Sequence, residues 1–278
     1  MAKGREIKLP LPAADDLFST QEERDEAKRE FIADIPLTEI SDFPDHPYKV
    51  KQDESMLELA ASIREKGVVN PALVRPKPEG GYEMVAGHRR KFASELAGKT
   101  VMPCIVRNLT DDEATIIMVD SNLQREKVLP SEKAFAYKMK LDAMKRQGQR
   151  TDLTSTPVEQ KLSKYSVEIL GEVVGESRSQ IQRYIRLTEL IPPILDMVDE
   201  GKIAMRPAVE LSYLPKEQQQ ILFDTMELED CTPSHAQAIK MRKFAEAGKL
   251  NEDVILSIMT EEKPNQVEQF KIPKKRID

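Results

Sequence analysis

Between residues 55 and 67 the apolar positions Met56, Leu59, Ala60 and Ile63 recur at helical spacing. Ser55 followed by Glu58 has the form of a capping box, and Gly67 can close the helix. The pattern then changes period. VVNPALVRP and YEMVA are short β-rich runs separated by the turn-prone PKPEGG, which predicts paired strands. HRRKFASELAGK returns to helical spacing through Phe92 or Ala93, Leu96 and Ala97, with Gly98 as its stop. VMPCIVRNL predicts a third strand. DDEATIIMVDSNLQRE predicts a helix whose acidic opening suits the positive end of its dipole. The alternation of periods makes an α+β unit over residues 35–128.

From residue 129 onward the pattern is helical. Pro130-Ser131-Glu132 opens a long amphipathic helix with Ala134, Tyr137, Leu141 and Met144 on one face, expected to end at Gly148. TDLTSTP is a polar break. Further helices are expected at about 166–174, 177–190, 192–200, 206–213 and 215–226, so residues 129–228 form an all-α unit. Residues 1–34, with Pro10, Pro12 and the charge-dense QEERDEAKRE, read as a flexible arm. Residues 229–278 read as a linker or tail whose one short apolar run is Val254–Met259.

Composition narrows the class. In 278 residues, 40% hydrophobic and 32% charged with no Trp, two cores must be built from Leu, Ile, Val, Ala and Met. No stretch has the length of a membrane span, and MAKGREIKLP lacks the apolar run of a secretory signal, so a cytoplasmic protein that does not engage a membrane is expected. Cys104 and Cys231 stand alone, as reduced thiols do. His46, His88 and His235 lack partners at ligand spacing, which argues against zinc. The net charge of −6 is unevenly spread: from Ser121 to Leu190, 13 Lys+Arg stand against 9 Asp+Glu. A basic segment inside an acidic chain suits a confined phosphate-binding face, although solvated helix faces give the same count.

Three constellations carry candidate chemistry. Gly87-His88-Arg89-Arg90 lies at a strand-to-helix junction, where glycine permits close approach, the free N–H groups favour an anion, and arginines match phosphate. A solvated helix start would look alike. Ser121-Asn122-Leu123-Gln124-Arg125-Glu126 ends a helix with several hydrogen-bonding side chains, of which Asn122 or Glu126 can also face a metal-bound phosphate, and it equally suits an ordinary polar last turn. The third is the most informative. SVEILGEVVGESRSQIQRYIRL has a first helix with Val167, Leu170 and Val173 or Val174 inward, a turn at Gly175, and a second helix capped near Glu176 or Ser177. Ile181, Ile185, Leu187 and Leu190 point one way, while Ser177, Arg178, Ser179, Gln180, Gln182, Arg183 and Arg186 supply polar groups of the types that read base edges and phosphates. Helix-turn-helix spacing is the reading, against a plain helical hairpin with a charged face.

The order of these elements resembles the ParB/Spo0J partition family, in the version carried by plasmids and mobile elements. The resemblance runs from SMLELAASIREKGVVNPALVRP through GGYEMVAGHRRKFASELAG, VMPCIV and VDSNLQREKVLPSEKAFAY to RLTELIPPILDMVDEGKIAMRPAVELSYL, about residues 35–226. It implies an α+β nucleotide-binding domain followed by an all-α helix-turn-helix DNA-binding domain. It implies dimers on a palindromic, centromere-like duplex and CTP with Mg²⁺ held at boxes corresponding to Gly87–Arg90 and Ser121–Arg125, Asn122 being the candidate metal contact. The loop at His46–Val50 would contribute to that site. It further implies a sliding clamp closed by CTP, self-association on DNA, and a Walker-type ATPase docked on the arm.

Two positions depart from the family pattern, His88 and Ser121, where carboxylates linked to metal and hydrolysis are usual. A hard cation prefers anionic oxygen, so the expectation is nucleotide binding with at most slow CTP hydrolysis. The family's C-terminal dimerisation segment is also expected to be lacking in residues 229–278. Two other classes remain open on these residues: a nucleotide-dependent small-molecule kinase on the same α+β fold, and a transcription regulator whose first domain is only structural.

Overall fold

The computed structural model describes residues 31–48, 52–123, 128–151 and 159–261, with the backbone alone for 148–151 and 159–165. Most of the expected arm, Lys49 and Val50 of the loop, Gln124, Arg125, Glu126, the break after Thr151 and the last residues of the tail lie outside these limits. The described residues form two compact units, one running to Met118 and one from Val119 that also takes in Pro47 and Tyr48. The division thus falls inside a helix rather than after residue 128.

The first unit is built on a five-stranded mixed sheet. Its strands are β1 (Phe31–Pro36), β2 (Ile40–Ser41), β3 (Ala72–Pro76), β4 (Tyr82–Ala86) and β5 (Val101–Val106), in the order β1-β5-β3-β4-β2. β1 begins within the stretch expected to be an arm, pairing antiparallel with β5 so that Ile32 lies opposite Ile105. β3 runs parallel to β5 and antiparallel to β4, and β2 runs parallel to β4. In β5 the period-two pattern is plain: Met102, Cys104 and Val106 are buried and join Ile35, Leu37, Ile40, Ala72, Val74 and Met84 in one core.

Helices α1 (Glu54–Lys66) and α2 (His88–Leu96) pack together through Met56, Ala60, Ile63 and Ala93. The cap of α1 corrects the expected capping box. Asp53, not Ser55, accepts from the Met56 N–H at 3.0 Å, and the Ser55 hydroxyl donates to Asp53 at 2.6 Å. An ionised carboxylate is the stronger acceptor for the helix's free N–H groups, so the cap moves two residues upstream.

Burial pushes the Cys104 thiol up to about 11. Its thiolate fraction at neutral pH is therefore negligible, whereas Cys231 is only half-buried. Titration of the native protein with a thiol-reactive disulfide reagent should give one rapid equivalent, at Cys231, and the second only on unfolding.

The second unit begins in α3 (Asp111–Leu123) and continues through α4 (Pro130–Thr151), α5 (Glu159–Val174), α6 (Arg178–Arg186), α7 (Pro192–Asp199), α8 (Met205–Leu211), α9 (Lys216–Leu228), α10 (His235–Glu246) and α11 (Glu252–Met259). α4 passes through Gly148, because one glycine costs only about 1 kcal/mol relative to alanine and cannot by itself stop a long helix. The single helix expected over 177–190 ends at Arg186 and tightens into a 3₁₀ turn at Leu187–Glu189.

The larger correction concerns the expected tail. Ala238, Met241, Leu250, Ile255, Ile258 and Met259 are buried in the same core as Leu187, Ile194, Leu211 and Leu222. Ser234 and Gln237 form a true capping box on α10, and the Gln237 amide donates to the Ile258 carbonyl at 2.7 Å. Residues up to 261 thus belong to the helical domain. Among the described residues no helix is long and apolar enough to cross a membrane.

Candidate functional site

The strand-to-helix box is organised by Gly87, which caps α2 in the left-handed region at φ 118°. A β-carbon there would stand 2.8 Å from that of Ala72. Close packing of the helix start on β3 thus requires glycine whatever binds above it.

His88 is buried, and its ring centroid lies 3.8 Å from that of His46, a pairing across 42 positions that spacing in the sequence could not show. Nearby, Lys91 bonds Asp42 at 2.8 Å. Partial burial works to raise the Asp42 carboxyl, but the Lys91 ammonium, helped by His88 and His46, holds it below the usual carboxylate range.

The two arginines of the box have different employment. The half-buried Arg89 donates through its guanidinium to the Ser55 hydroxyl at 2.8 Å, beside the first turn of α1. Arg90 turns inward and donates to the carbonyls of Asn70 and Pro71, both at 2.6 Å, with its affinity for protons lowered by burial. Arg90, expected to face phosphate, braces the loop ahead of β3.

Ser121 and Asn122 occupy the last turn of α3. Asn122 is buried, and its amide donates to the Ser121 hydroxyl at 3.4 Å, the outer limit of such a bond. What fixes this turn was not expected: Asp120 pairs with Lys140 of α4, whose side chain is 5% exposed. Tyr48 donates to the Val119 carbonyl at 3.3 Å, and Leu123 packs on the cluster of Tyr137, Leu170 and Ile181. As magnesium donors, an amide and a hydroxyl are neutral oxygens and make a poor protein cage, so the ion fits here only as a companion of nucleotide phosphates.

α5, the Gly175 turn and α6 have helix-turn-helix form. Ser177 caps α6, accepting from the Gln180 N–H at 3.3 Å. The turn is tied to α4 by Lys133, which bonds Glu176 at 2.6 Å and lies 5.1 Å from the Tyr184 ring centre, while Tyr137 meets Tyr184 edge-on at 5.7 Å. Burial, then the Glu176 carboxylate, pushes the Tyr137 hydroxyl well above its ordinary value. Val174 packs inward, but Val173 is exposed.

Gly171 of α5 is indispensable for a different reason from Gly87. A β-carbon there would lie 2.7 Å from the Glu176 carbonyl oxygen, a backbone atom that cannot step aside. Gly171→Ala should therefore destabilise the helical domain by about 1–3 kcal/mol, read as a lower midpoint in urea.

On the outer face of α6, Ser177, Ser179, Gln182 and Arg183 are exposed. Arg178 and Gln180 are half-buried, with Arg178 3.9 Å from Glu168. Arg186 departs from the expected DNA-contacting set: its Nε donates to the Ser212 hydroxyl at 3.1 Å and its Nη2 to the Ser212 carbonyl at 2.8 Å.

An α+β domain with a glycine-capped basic box, followed by a helical domain with a helix-turn-helix, defines a two-domain protein of the helix-turn-helix class. Residues 21–123 match the family model of the ParB N-terminal domain, and residues 158–241 that of the ParB HTH domain. The chain is 34% identical over 212 residues to a probable chromosome 1-partitioning protein ParB of Deinococcus radiodurans, covering 76% of this chain and 66% of that one. It is 31% identical over 210 residues to a nucleoid occlusion protein of Geobacillus thermodenitrificans, covering 74% and 68%. The chain belongs to the ParB family, and it spans about two thirds of the length of these relatives. A C-terminally truncated ParB from Caulobacter crescentus is similar at 22% identity in its complex with the centromeric parS site, with a TM-score of 0.41 over 77% of this chain and 99% of that one. Its complex with CTP-gamma-S gives 27% identity and a TM-score of 0.32 over 71% and 99%. Such TM-scores add no weight to the sequence matches.

Proposed function

We propose that this chain is a sequence-specific DNA-binding partition protein, recognising a palindromic, centromere-like duplex and acting as a CTP-controlled clamp in plasmid or chromosome segregation. The observation that carries the reading is α6, capped at Ser177 and presenting Ser179, Gln182 and Arg183 outward within a ParB HTH domain. Side chains at the start of a recognition helix reach base edges in the major groove, and two such helices on a two-fold axis match a palindrome. Self-association on DNA follows from that symmetry.

The CTP phosphates are assigned to Gly87, His88 and Arg89, with Arg90 bracing the loop beside them; Ser121, Asn122, Gln124 and Arg125 are proposed as a second nucleotide-contacting box. Mg²⁺, arriving on the triphosphate, would neutralise phosphate charge. This chain's own residues orient the nucleotide. A Walker-type ATPase would dock on the N-terminal arm, and the protein would act in the cytoplasm on the nucleoid or a plasmid.

Titration with each ribonucleoside triphosphate, with and without a duplex selected from a randomised library, tests the whole reading. CTP preference together with selective duplex enrichment is expected. Enrichment without any nucleotide binding would leave a DNA regulator with a structural first domain. Because His88 and Ser121 replace carboxylates, CTP turnover should stay slower than about 1 per minute, far below common enzyme rates. Turnover of several per second on the selected duplex would return the chain to the enzymes.

A further inference from the structure

Arg186, the last residue of α6, does more than bond Ser212. Its guanidinium carbon lies 4.1 Å from the centre of the Tyr213 ring, and that of Arg242, on α10, lies 3.6 Å from the same ring. Arg242 is in turn held by Glu210 at 3.0 Å and Glu246 at 2.8 Å. Ser212 is buried, and its hydroxyl donates to the Val209 carbonyl at 2.7 Å while accepting from Arg186. A cation–aromatic–cation stack, neutralised by two glutamates, therefore joins the recognition helix to α8 and to α10.

The shortness of α6 makes its anchors decisive. Nine residues make a rod of roughly 13 Å, so a tilt of about 10° at Arg186 moves the Ser177 end by about 2 Å, beyond hydrogen-bond tolerance. The Ser177 end is held by the Glu176–Lys133 pair and the far end by the stack. Tyr213 remains 43% exposed, so its two guanidinium contacts, more than core packing, hold the ring in place.

We propose that Tyr213, in contact with the guanidinium groups of both Arg186 and Arg242, is a positioning residue for DNA recognition that makes α10 part of the recognition apparatus. The proposal rests on the DNA-binding reading of α6. Arg186 then contributes specificity through the placement of α6, its Nε and Nη2 engaged on Ser212 and its guanidinium on the Tyr213 ring.

The test uses the full chain and a duplex that the wild type enriches from a randomised palindromic library. For each variant the preference for that duplex over random duplex, the dependence of affinity on salt, and the thermal midpoint are measured. Tyr213→Leu should lose about tenfold of the preference, with the midpoint within a few degrees and the salt slope unchanged. Tyr213→Phe, which keeps the ring, should retain the preference. Arg186→Lys keeps the charge but not the planar fork, so it should lose the preference as Tyr213→Leu does. Arg242→Met supplies a second break in the stack with its stem intact.

Retained preference in Tyr213→Leu would overturn the proposal. So would a preference kept by Arg186→Lys with a salt slope reduced by about one in Arg186→Met, since that pair of results marks a phosphate contact. Unfolding of both Tyr213→Leu and Arg242→Met would reduce the stack to a folding element and equally overturn it. If the wild type enriches no duplex, the DNA-binding reading fails instead.

Discussion

Arg183→Ala should weaken binding to the preferred duplex by about 1–3 kcal/mol while costing much less on random duplex. Arg183 lies in the second turn of α6 and is exposed beside Gln182, on the side of the helix away from buried Ile181. The other two arginines of the expected DNA-contacting set are placed otherwise: Arg178 stands near Glu168, and Arg186 is fixed on Ser212 and Tyr213. Only a side chain that projects unengaged can trade water for a base edge without first breaking protein bonds. Gln182→Ala should follow the same pattern with a smaller loss, since an amide pair lacks the charge of a guanidinium. Parallel titrations on the two duplexes separate the outcomes. Equal losses on both would mean that α6 grips only the phosphate backbone.

How much of this was legible along the chain depended on range. The strands of the N-terminal domain announce themselves by period, and Met102, Cys104 and Val106 face the core as their alternation requires. The helix-turn-helix is readable for the same reason, since Val167, Leu170 and Ile181 lie within 15 positions and their spacing alone converges them. α10 is not legible in the local pattern because its burial is settled elsewhere. HAQAIKMRKFAE is polar enough for a tail, and it is Ile258, accepting from the Gln237 amide, together with the shared core that draws it in.

Side-chain employment was the least legible. Arg89 and Arg90 are adjacent and chemically identical, yet carbonyls some 20 positions upstream claim one of them, and the Ser55 hydroxyl takes the other. Arg186 and Arg242, 56 positions apart, are linked through the Tyr213 ring that both contact. Local pattern fixes which face a residue occupies. It does not say which distant group meets that face.

That difference between neighbouring arginines yields the second large expectation. Arg89→Ala should lower CTP affinity at least about tenfold with little change in folding, because it removes a half-buried, charge-assisted donor whose bond is to the Ser55 hydroxyl at the glycine-capped helix start. Arg90→Ala should also lower affinity, but through the fold. It strips the Asn70 and Pro71 carbonyls of a charged donor at 2.6 Å and leaves a gap beside Gly87, where the Arg90 Nη2 sits 3.1 Å from the position a β-carbon would take. Hydrogen bonds to charged groups contribute about 1.5–3 kcal/mol, less where solvent reaches them, so a loss near 1–2 kcal/mol is reasonable. In a domain of this size that lowers the unfolding midpoint by several degrees, on the order of 4–8 °C per kcal/mol. Calorimetric titration with CTP, paired with thermal unfolding of each variant without nucleotide, distinguishes the two roles. Matching losses of affinity with an unchanged midpoint in Arg90→Ala would mean that Arg90 leaves its carbonyls to meet the phosphates. Unchanged affinity in Arg89→Ala would move the phosphate site away from this box, leaving Gly87 to be explained by its packing on Ala72 alone.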